Sequence, residues 1–183
     1  TLAYMLPTLA SGRRVIVSTG TKNLQEQLYY KDVPFLEKHW DRPLRVAYMK
    51  GRQNYLCREK LYEAEQRPIL SGLEEIEEFA LIKAWEPDTE TGDRAALKAL
   101  PQNSSVWHKL DARRELCSGS KCPQFARCFI TEMHQKAAEA DIIIVNHHLF
   151  FADLALREDD FASIIPDYQA VVFDEAHEIE EVA

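Results

Sequence analysis

Two adjacent carboxylates follow an apolar strand near the end of the chain. Residues 171–177 have the sequence VVFDEAH, so Asp174 and Glu175 come directly after strand-forming residues. Parallel sheets bind ligands at the carboxyl ends of their strands, and phosphate chemistry there needs one carboxylate to hold Mg²⁺ and another to orient or deprotonate the attacking water. Two acids at an exposed helix start are the common alternative, because the helix dipole favours them. The preceding strand favours phosphate chemistry.

Four cysteines lie in the middle of the chain, at Cys57, Cys117, Cys122 and Cys128. Four cysteines in one segment of a chain with no sign of secretion indicate a metal site rather than a disulfide framework. Zinc sites usually contain cysteine pairs two to four residues apart, whereas these spacings are wide and unequal. A cubane cluster tolerates such spacing, and Pro123 follows a cysteine here as proline does in some ferredoxins. A [4Fe–4S] cluster is therefore favoured, with a zinc site and buried free thiols as the alternatives.

Hydroxyl groups follow a second apolar run. Residues 18–25 have the sequence STGTKNLQ, which places Thr19 and Thr21 where a strand ends and a helix begins. Hydroxyl and amide N–H groups at a helix N-terminus suit a phosphate oxygen, so both threonines are candidate DNA contacts. Simple N-capping of the helix by Thr21 is the alternative, and the two roles can coexist.

Polar side chains also follow the apolar run 142–145, at Asn146, His147 and His148. Neighbouring residues of an extended chain point to opposite sides, so the two histidines should not bind one metal ion together. We predict a nucleic-acid or interdomain contact through Asn146 and His147. Histidines with a structural role are an equal alternative.

Apolar, β-branched runs alternate with helical segments and predict an open α/β sheet of parallel strands. Residues 2–9 predict a helix that Gly12 closes and Pro7 distorts or ends early, and the helix from Lys22 should stop before Pro34. The predicted strands cover 14–18, 142–145 and 170–173, and later helices cover 132–140 and 149–156.

Residues 51–136 interrupt this order, because they lack parallel-strand signals and contain all four cysteines. We interpret them as an inserted, mostly helical domain between two parts of the α/β domain, 1–50 and 137–183. Within the insertion, the spacing of Ser71 and Glu74 predicts a capping box, and the helix that it starts should end near Trp85.

Charge is distributed unevenly along the 183 residues, whose formal net charge is -8. Residues 42–60 contain six basic residues and one acidic residue, residues 63–93 contain ten acidic and two basic residues, and residues 105–136 contain six basic and three acidic residues. Two basic segments around an acidic one can hold a polyanion on one face. Without a long apolar run or a basic leader, we expect a soluble, cytoplasmic protein and no membrane contact.

Together these motifs resemble the iron–sulfur superfamily 2 DNA helicases of the DinG, YoaA and XPD group, and the bacterial DinG and YoaA type most. The resemblance spans essentially the whole chain. The matching stretches are residues 18–28, residues 51–57 (GRQNYLC), the cysteines at 117, 122 and 128, residues 145–149 (VNHHL) and the DEAH sequence at 174–177.

The resemblance implies a RecA-like (P-loop NTPase) parallel sheet, here partial, interrupted by an iron–sulfur domain. It implies that ATP drives 5′-to-3′ translocation on single-stranded DNA and unwinding of forked or tailed duplexes in repair or replication, in the bacterial cytoplasm at the nucleoid, with a possible repair or replication protein partner. It assigns Mg²⁺ to Asp174, base catalysis to Glu175 and coupling of nucleotide state to DNA to His177. The four cysteines become the ligands of a [4Fe–4S] cluster.

Residues close to Cys57 become candidate DNA contacts in this interpretation. Tyr55 would stack on a base, Arg52 would meet a phosphate, and Asn54 lies between them. At the other end of the motor, Thr1 would be the hydroxyl residue that follows the phosphate-loop lysine and binds Mg²⁺ and ATP.

The chain begins at Thr1 and ends soon after the DEAH sequence, so we expect a fragment that does not hydrolyse ATP alone. A non-enzymatic zinc- or cluster-binding DNA-recognition module is the main alternative, although such a module has no need of DEAH at a strand end. A DEAH-type RNA helicase of another branch would leave the four cysteines without a role.

Overall fold

Four short parallel strands place the polar groups in the computed structural model, which describes residues 2–67, 70–158 and 163–181. The sheet has the strand order β2-β3-β1-β4, with every neighbouring pair parallel. This confirms the predicted α/β class and is consistent with a partial RecA-like sheet. The strands are β1 (Val15–Thr19), β2 (Val46–Tyr48), β3 (Ile142–Asn146) and β4 (Ala170–Phe173).

Eight α-helices accompany the strands in the described residues. They divide between two compact units, one from the described parts of 1–50 and 133–183 and the other from the described parts of 51–132. None of the described helices is both long and apolar enough to cross a membrane. The helices are α1 (Leu2–Ala10), α2 (Lys22–Gln27), α3 (Val33–Glu37), α4 (Arg58–Gln66), α5 (Leu73–Trp85), α6 (Ser105–Leu110), α7 (Phe129–Glu139) and α8 (His147–Glu158).

In the first unit the central strands are buried on both faces, because helices cover the sheet. All five residues of β1 are buried, as are the first four of β3. One side of this core consists of the buried residues Met5, Leu9, Val17, Leu28, Val33, Leu36, Tyr48, Ile142 and Ile144.

The helix that begins at Lys22 does not stop before Pro34, so this prediction was wrong. A π-helical turn, Leu28–Asp32, joins α2 to α3, and Pro34 lies in the first turn of α3. Proline is tolerated in a first turn, since the N–H that it lacks would have no partner there. Because a new helix begins after the π turn, Pro34 does not interrupt the backbone hydrogen bonds of α2.

The second unit is built from α4, α5, α6 and short 3₁₀ turns around its own core. Two isolated bridges, Tyr55 with Asp93 and Leu56 with Asp111, tie its loops together. Its core contains Leu56, Leu61, Ala64, Ile82, Leu97, Leu100, Val106, Trp107, Leu110 and Phe129.

Candidate functional site

Asp174 is held from two sides at the carboxyl end of β4. Its backbone N–H donates to the carbonyl oxygen of Ser18 at 2.8 Å, which extends the pairing of β4 with β1 by one residue. The hydroxyl of Tyr4, on α1, donates to Asp174 Oδ2 at 3.0 Å. The first DEAH carboxylate therefore has a defined position at the sheet edge.

Glu175 adopts a left-handed backbone conformation, with φ of 55°. It is the only residue other than glycine with a positive φ among the described residues. Such a conformation costs an L-residue about 1–3 kcal/mol and persists only where the surroundings impose it. The N–H of Glu178 donates to the Glu175 carbonyl at 2.9 Å and closes the turn into the 3₁₀ helix Ala176–Glu181.

His177 lies beside Glu175, with Nδ1 3.5 Å from Glu175 Oε2. The His177 side chain is 74% exposed, and that of Glu175 is 42% exposed. Both groups can therefore reach a ligand from solvent. Asp174, Glu175 and His177 lie together after β4, and their part in phosphate chemistry stays a prediction.

Ser18 and His147 form a buried polar pair between β1 and the start of α8. The Ser18 hydroxyl lies 2.7 Å from His147 Nδ1, and both residues are 0% exposed. His147 Nε2 has no partner among the described residues. This position favours the structural alternative for His147, because a buried ring does not reach DNA.

The other polar groups at the strand ends cap helices or loops. Asn146 Oδ1 accepts from the N–H of Leu149 at 2.9 Å, and Thr21 Oγ1 accepts from that of Leu24 at 3.2 Å. Thr19 is fully buried and donates to the Thr21 carbonyl at 3.1 Å. Thr21 is exposed, so a phosphate contact can coexist with capping there, whereas burial of Thr19 makes its predicted DNA contact wrong.

Gln25 and Lys50 were not foreseen at this edge of the sheet. The buried Gln25 amide donates to the carbonyls of Met49, at 2.5 Å, and Ile144, at 3.1 Å. Lys50 Nζ lies 2.6 Å from Glu26 Oε1. Burial lowers the pKa of Lys50, and the ion pair opposes that shift. Residue type alone gives no signal for either contact.

All four cysteines in the second unit are free thiols, and they share a backbone conformation. Each has an extended backbone next to a helical turn: Cys57 precedes α4, and the other three each follow a 3₁₀ turn. The N–H groups of Cys117, Cys122 and Cys128 donate to the carbonyl three residues earlier, at 3.0, 3.0 and 3.3 Å. Within the described parts of the chain, no three His, Cys, Asp or Glu side chains are grouped closely enough to hold a metal ion.

Positive charge lies against one of these thiols. Arg52 Nη2 donates to Cys117 Sγ at 3.1 Å, and Arg52 Nε donates to the Ala112 carbonyl at 2.8 Å. Burial opposes the effect, but hydrogen bonds from the Gly119 backbone and from Arg52 lower the pKa of the Cys117 thiol on balance. Burial raises the pKa of the Cys57 thiol. The guanidinium of the half-exposed Arg52 thus already donates hydrogen bonds to the Cys117 sulfur and to the Ala112 carbonyl.

The prediction that Tyr55 stacks on a base was wrong, because its side chain lies in the core of the second unit and is 1% exposed. Asn54 is also buried, and its amide donates to the Gly51 carbonyl at 2.8 Å. Phe125, which lies between Cys122 and Cys128, is an aromatic residue with 42% of its surface exposed. Exposed basic residues lie on either side of it in the sequence, at Arg113, Arg114, Lys121 and Arg127.

Comparison with known proteins supports the resemblance. No family model matches the chain. The ATP-dependent DNA helicase YoaA of Haemophilus influenzae is 38% identical over 183 residues, which are all of this chain and 29% of that protein. YoaA of Escherichia coli is 37% identical over all of this chain and 29% of its own length. The ATP-dependent helicase DinG of Mycobacterium tuberculosis is 32% identical over 97% of this chain and 29% of its own length.

The chain thus spans about 29% of the length of the curated relatives that it matches. Those relatives carry helicase names of two related kinds, and the matches cover 97–100% of this chain. The chain is therefore DinG/YoaA-like over its whole length, as its motifs predicted.

Proposed function

We propose that this chain belongs to the first motor domain of an ATP-dependent DNA helicase. In this proposal residues 1–50 and 137–183 are two parts of the motor domain, and residues 51–136 are an inserted cluster domain. The observation that carries it is the DEAH turn, in which Asp174, Glu175 and His177 meet at the carboxyl end of a parallel strand. The similarity to YoaA and DinG supports ATP as the nucleotide.

Each group of the DEAH turn has a task in ATP hydrolysis. Asp174, an oxygen donor fixed at the strand end, fits Mg²⁺, which neutralises charge that develops on the transferred phosphoryl group. Glu175 is exposed enough to orient and deprotonate the attacking water. His177, beside Glu175, couples the nucleotide state to DNA. Thr1, the predicted ATP and Mg²⁺ ligand, lies outside the described residues.

The second unit carries the proposed [4Fe–4S] cluster. Four thiols within one unit fit the donor chemistry of such a cluster, and hydrogen bonds from the Gly119 backbone and from Arg52 lower the pKa of the Cys117 thiol. In the described residues no three of these side chains lie close enough to hold a metal ion together. The proposal of a cluster is therefore supported by the residue type and the spacing of the cysteines. When bound, a cluster would cross-link the loops that carry Cys57, Cys117, Cys122 and Cys128. No step of the ATPase reaction depends on it.

Single-stranded DNA, in forked or tailed duplexes, is the proposed substrate, with 5′-to-3′ translocation in repair or replication. The two basic segments and the exposed Thr21 and Phe125 support a polyanion with accessible bases. This substrate implies a bacterial cytoplasmic location at the nucleoid and leaves room for a repair or replication protein partner.

The test is Glu175→Gln in the full-length helicase. We expect DNA-stimulated ATP hydrolysis to fall by roughly two orders of magnitude or more while ATP and DNA binding persist, since only the base is lost. Full-length wild-type protein that binds DNA and shows no ATPase activity would favour the non-enzymatic DNA-recognition module instead.

A further inference from the structure

Tyr4 connects α1 to the first DEAH carboxylate across 170 positions of sequence. Its hydroxyl donates to Asp174 Oδ2 at 3.0 Å in a partly buried setting. The phenol ring is partly buried and packs against the core of the first unit. The ring is therefore held in place by packing, and the hydroxyl has a fixed position.

We propose that Tyr4 is a positioning residue for the divalent cation of the ATPase site, an inference that rests on the proposed function. The phenol holds Asp174 by Oδ2 and leaves Oδ1 without a protein partner among the described residues, so Oδ1 is the acceptor that remains for the cation. The terminal torsion of an aspartate is otherwise broad, and a hydrogen bond to a charged oxygen narrows it.

The backbone of Asp174 strengthens this inference. Its N–H is fixed by the Ser18 carbonyl, so the main chain cannot compensate for a carboxylate that turns. The hydrogen bond from Tyr4 then restricts the rotation of the Asp174 carboxylate plane.

The experiment compares Tyr4→Phe with Tyr168→Phe in the full-length helicase. Each substitution removes one phenolic oxygen and keeps the ring, and Tyr168 contacts Phe150 and Arg157 through its ring. Mn²⁺ serves as the probe, and its binding to the protein·ADP complex is measured by electron paramagnetic resonance, which requires no turnover. Asp174→Ala is the reference for a lost cation ligand.

We expect Tyr4→Phe to weaken Mn²⁺ binding roughly threefold to tenfold, the range for loss of a typical hydrogen bond, because Tyr4 acts on the cation only through Asp174. The Mg²⁺ concentration for half-maximal ATPase activity should rise by a similar factor, and saturating Mg²⁺ should restore most of kcat. The thermal midpoint should stay close to that of the wild type. A purely structural Tyr4 would lower the midpoint and leave the Mg²⁺ dependence unchanged.

Two outcomes separate the inference from the proposed function. Unchanged Mn²⁺ affinity in Tyr4→Phe, with a clear loss in Asp174→Ala, overturns the positioning role alone, as does an equal loss in Tyr168→Phe. Unchanged Mn²⁺ affinity in Asp174→Ala overturns the assignment of Asp174 as the cation ligand, and the positioning role fails with it.

Discussion

The imidazole Nδ1 of His147 lies 2.7 Å from the hydroxyl oxygen of Ser18, and neither side chain is exposed to solvent. The pair joins the carboxyl end of β1 to the residue that follows β3. In a water-excluded position, loss of either partner leaves a polar group without a hydrogen bond.

Replacement of His147 by Ala should therefore lower the free energy of unfolding by about 1–3 kcal/mol or more, because the Ser18 hydroxyl loses its partner and a cavity remains. His148→Ala is the matched control, since His148 is exposed. Urea denaturation followed by circular dichroism measures both. Equal stability of the two variants would contradict the structural role of His147.

Phe125→Ala should weaken binding of single-stranded DNA by the full-length helicase. Stacking of a base on an exposed aromatic ring contributes about 1–3 kcal/mol, so the Kd should rise at least fivefold or so. Phe35→Ala is the control, because Phe35 is similarly exposed but packs against His39 in the first unit. Fluorescence anisotropy with a labelled oligonucleotide measures both variants. An identical Kd for the two variants would remove Phe125 from the DNA interface.

Cys122→Ser should prevent assembly of the proposed cluster. Anaerobically purified wild-type protein should contain about four iron and four sulfide per chain, with broad visible absorption that the variant lacks. Ser118→Ala, four residues before Cys122, should keep both iron and sulfide. One zinc per chain without iron would instead indicate a zinc site, and the wide cysteine spacings would then need another explanation.

Glu75 makes the stability of the second unit depend on pH. Hydrogen bonds from Lys109, Ser105 and the Ser71 backbone lower the pKa of Glu75 to about 2. A depressed carboxyl pKa stabilises the fold fully above the unfolded-state pKa of about 4.3, and this stabilisation is lost as the pH falls towards 2.

Glu75→Gln should accordingly lower the thermal midpoint at pH 7, and the difference from the wild type should shrink between about pH 4.3 and pH 2. The difference in thermal midpoint between the two proteins is the useful quantity, because the other carboxylates titrate in both and their contribution cancels. Glu74→Gln, at the exposed neighbouring position, should show no such pH-dependent difference. A constant gap over this range would mean that the Glu75 hydrogen bonds do not depend on its charge.

Gly92→Ala should destabilise the second unit more than Gly12→Ala destabilises the first. Both glycines have nearly the same left-handed φ, 64° and 65°, so the backbone cost is matched. A Cβ at Gly92 would lie 2.3 Å from Cδ2 of the buried Phe129, whereas one at Gly12 would meet nothing within 4 Å. Thermal unfolding of the two variants isolates the steric part, and similar losses would show that the Phe129 ring moves aside at little cost.

Three of the four strands were predicted to within one residue at each end, because their β-branched runs are apolar on both faces and end in polar groups. The fourth, β2, has only three residues, too few for periodicity to register. The helix at 73–85 was also predicted well. Its capping box was wrong: Gly72 occupies the N-cap with φ of 92°, and Glu75 rather than Glu74 accepts from the Ser71 N–H.

The candidate site was predictable where neighbours in sequence are neighbours in space. Asp174, Glu175 and His177 follow one strand, so their proximity could be deduced from spacing alone. The partners of Tyr4 and His147 lie 170 and 129 positions away, and no local pattern encodes such contacts. The prediction for Tyr55 was wrong for a related reason. A tyrosine beside basic residues is typical of a nucleic-acid surface, but residues distant in sequence bury the Tyr55 side chain in the second unit.

Ser18 bonds to both neighbouring strands at once. Its carbonyl accepts from Asp174, at the tip of β4, and its hydroxyl meets His147, just beyond β3. The loop that holds Thr21 begins immediately after β1, so Ser18 joins the ends of three strands close to that loop. A displacement of the end of β1 would therefore reach the DEAH turn through the Asp174 N–H and the start of α8 through the His147 ring.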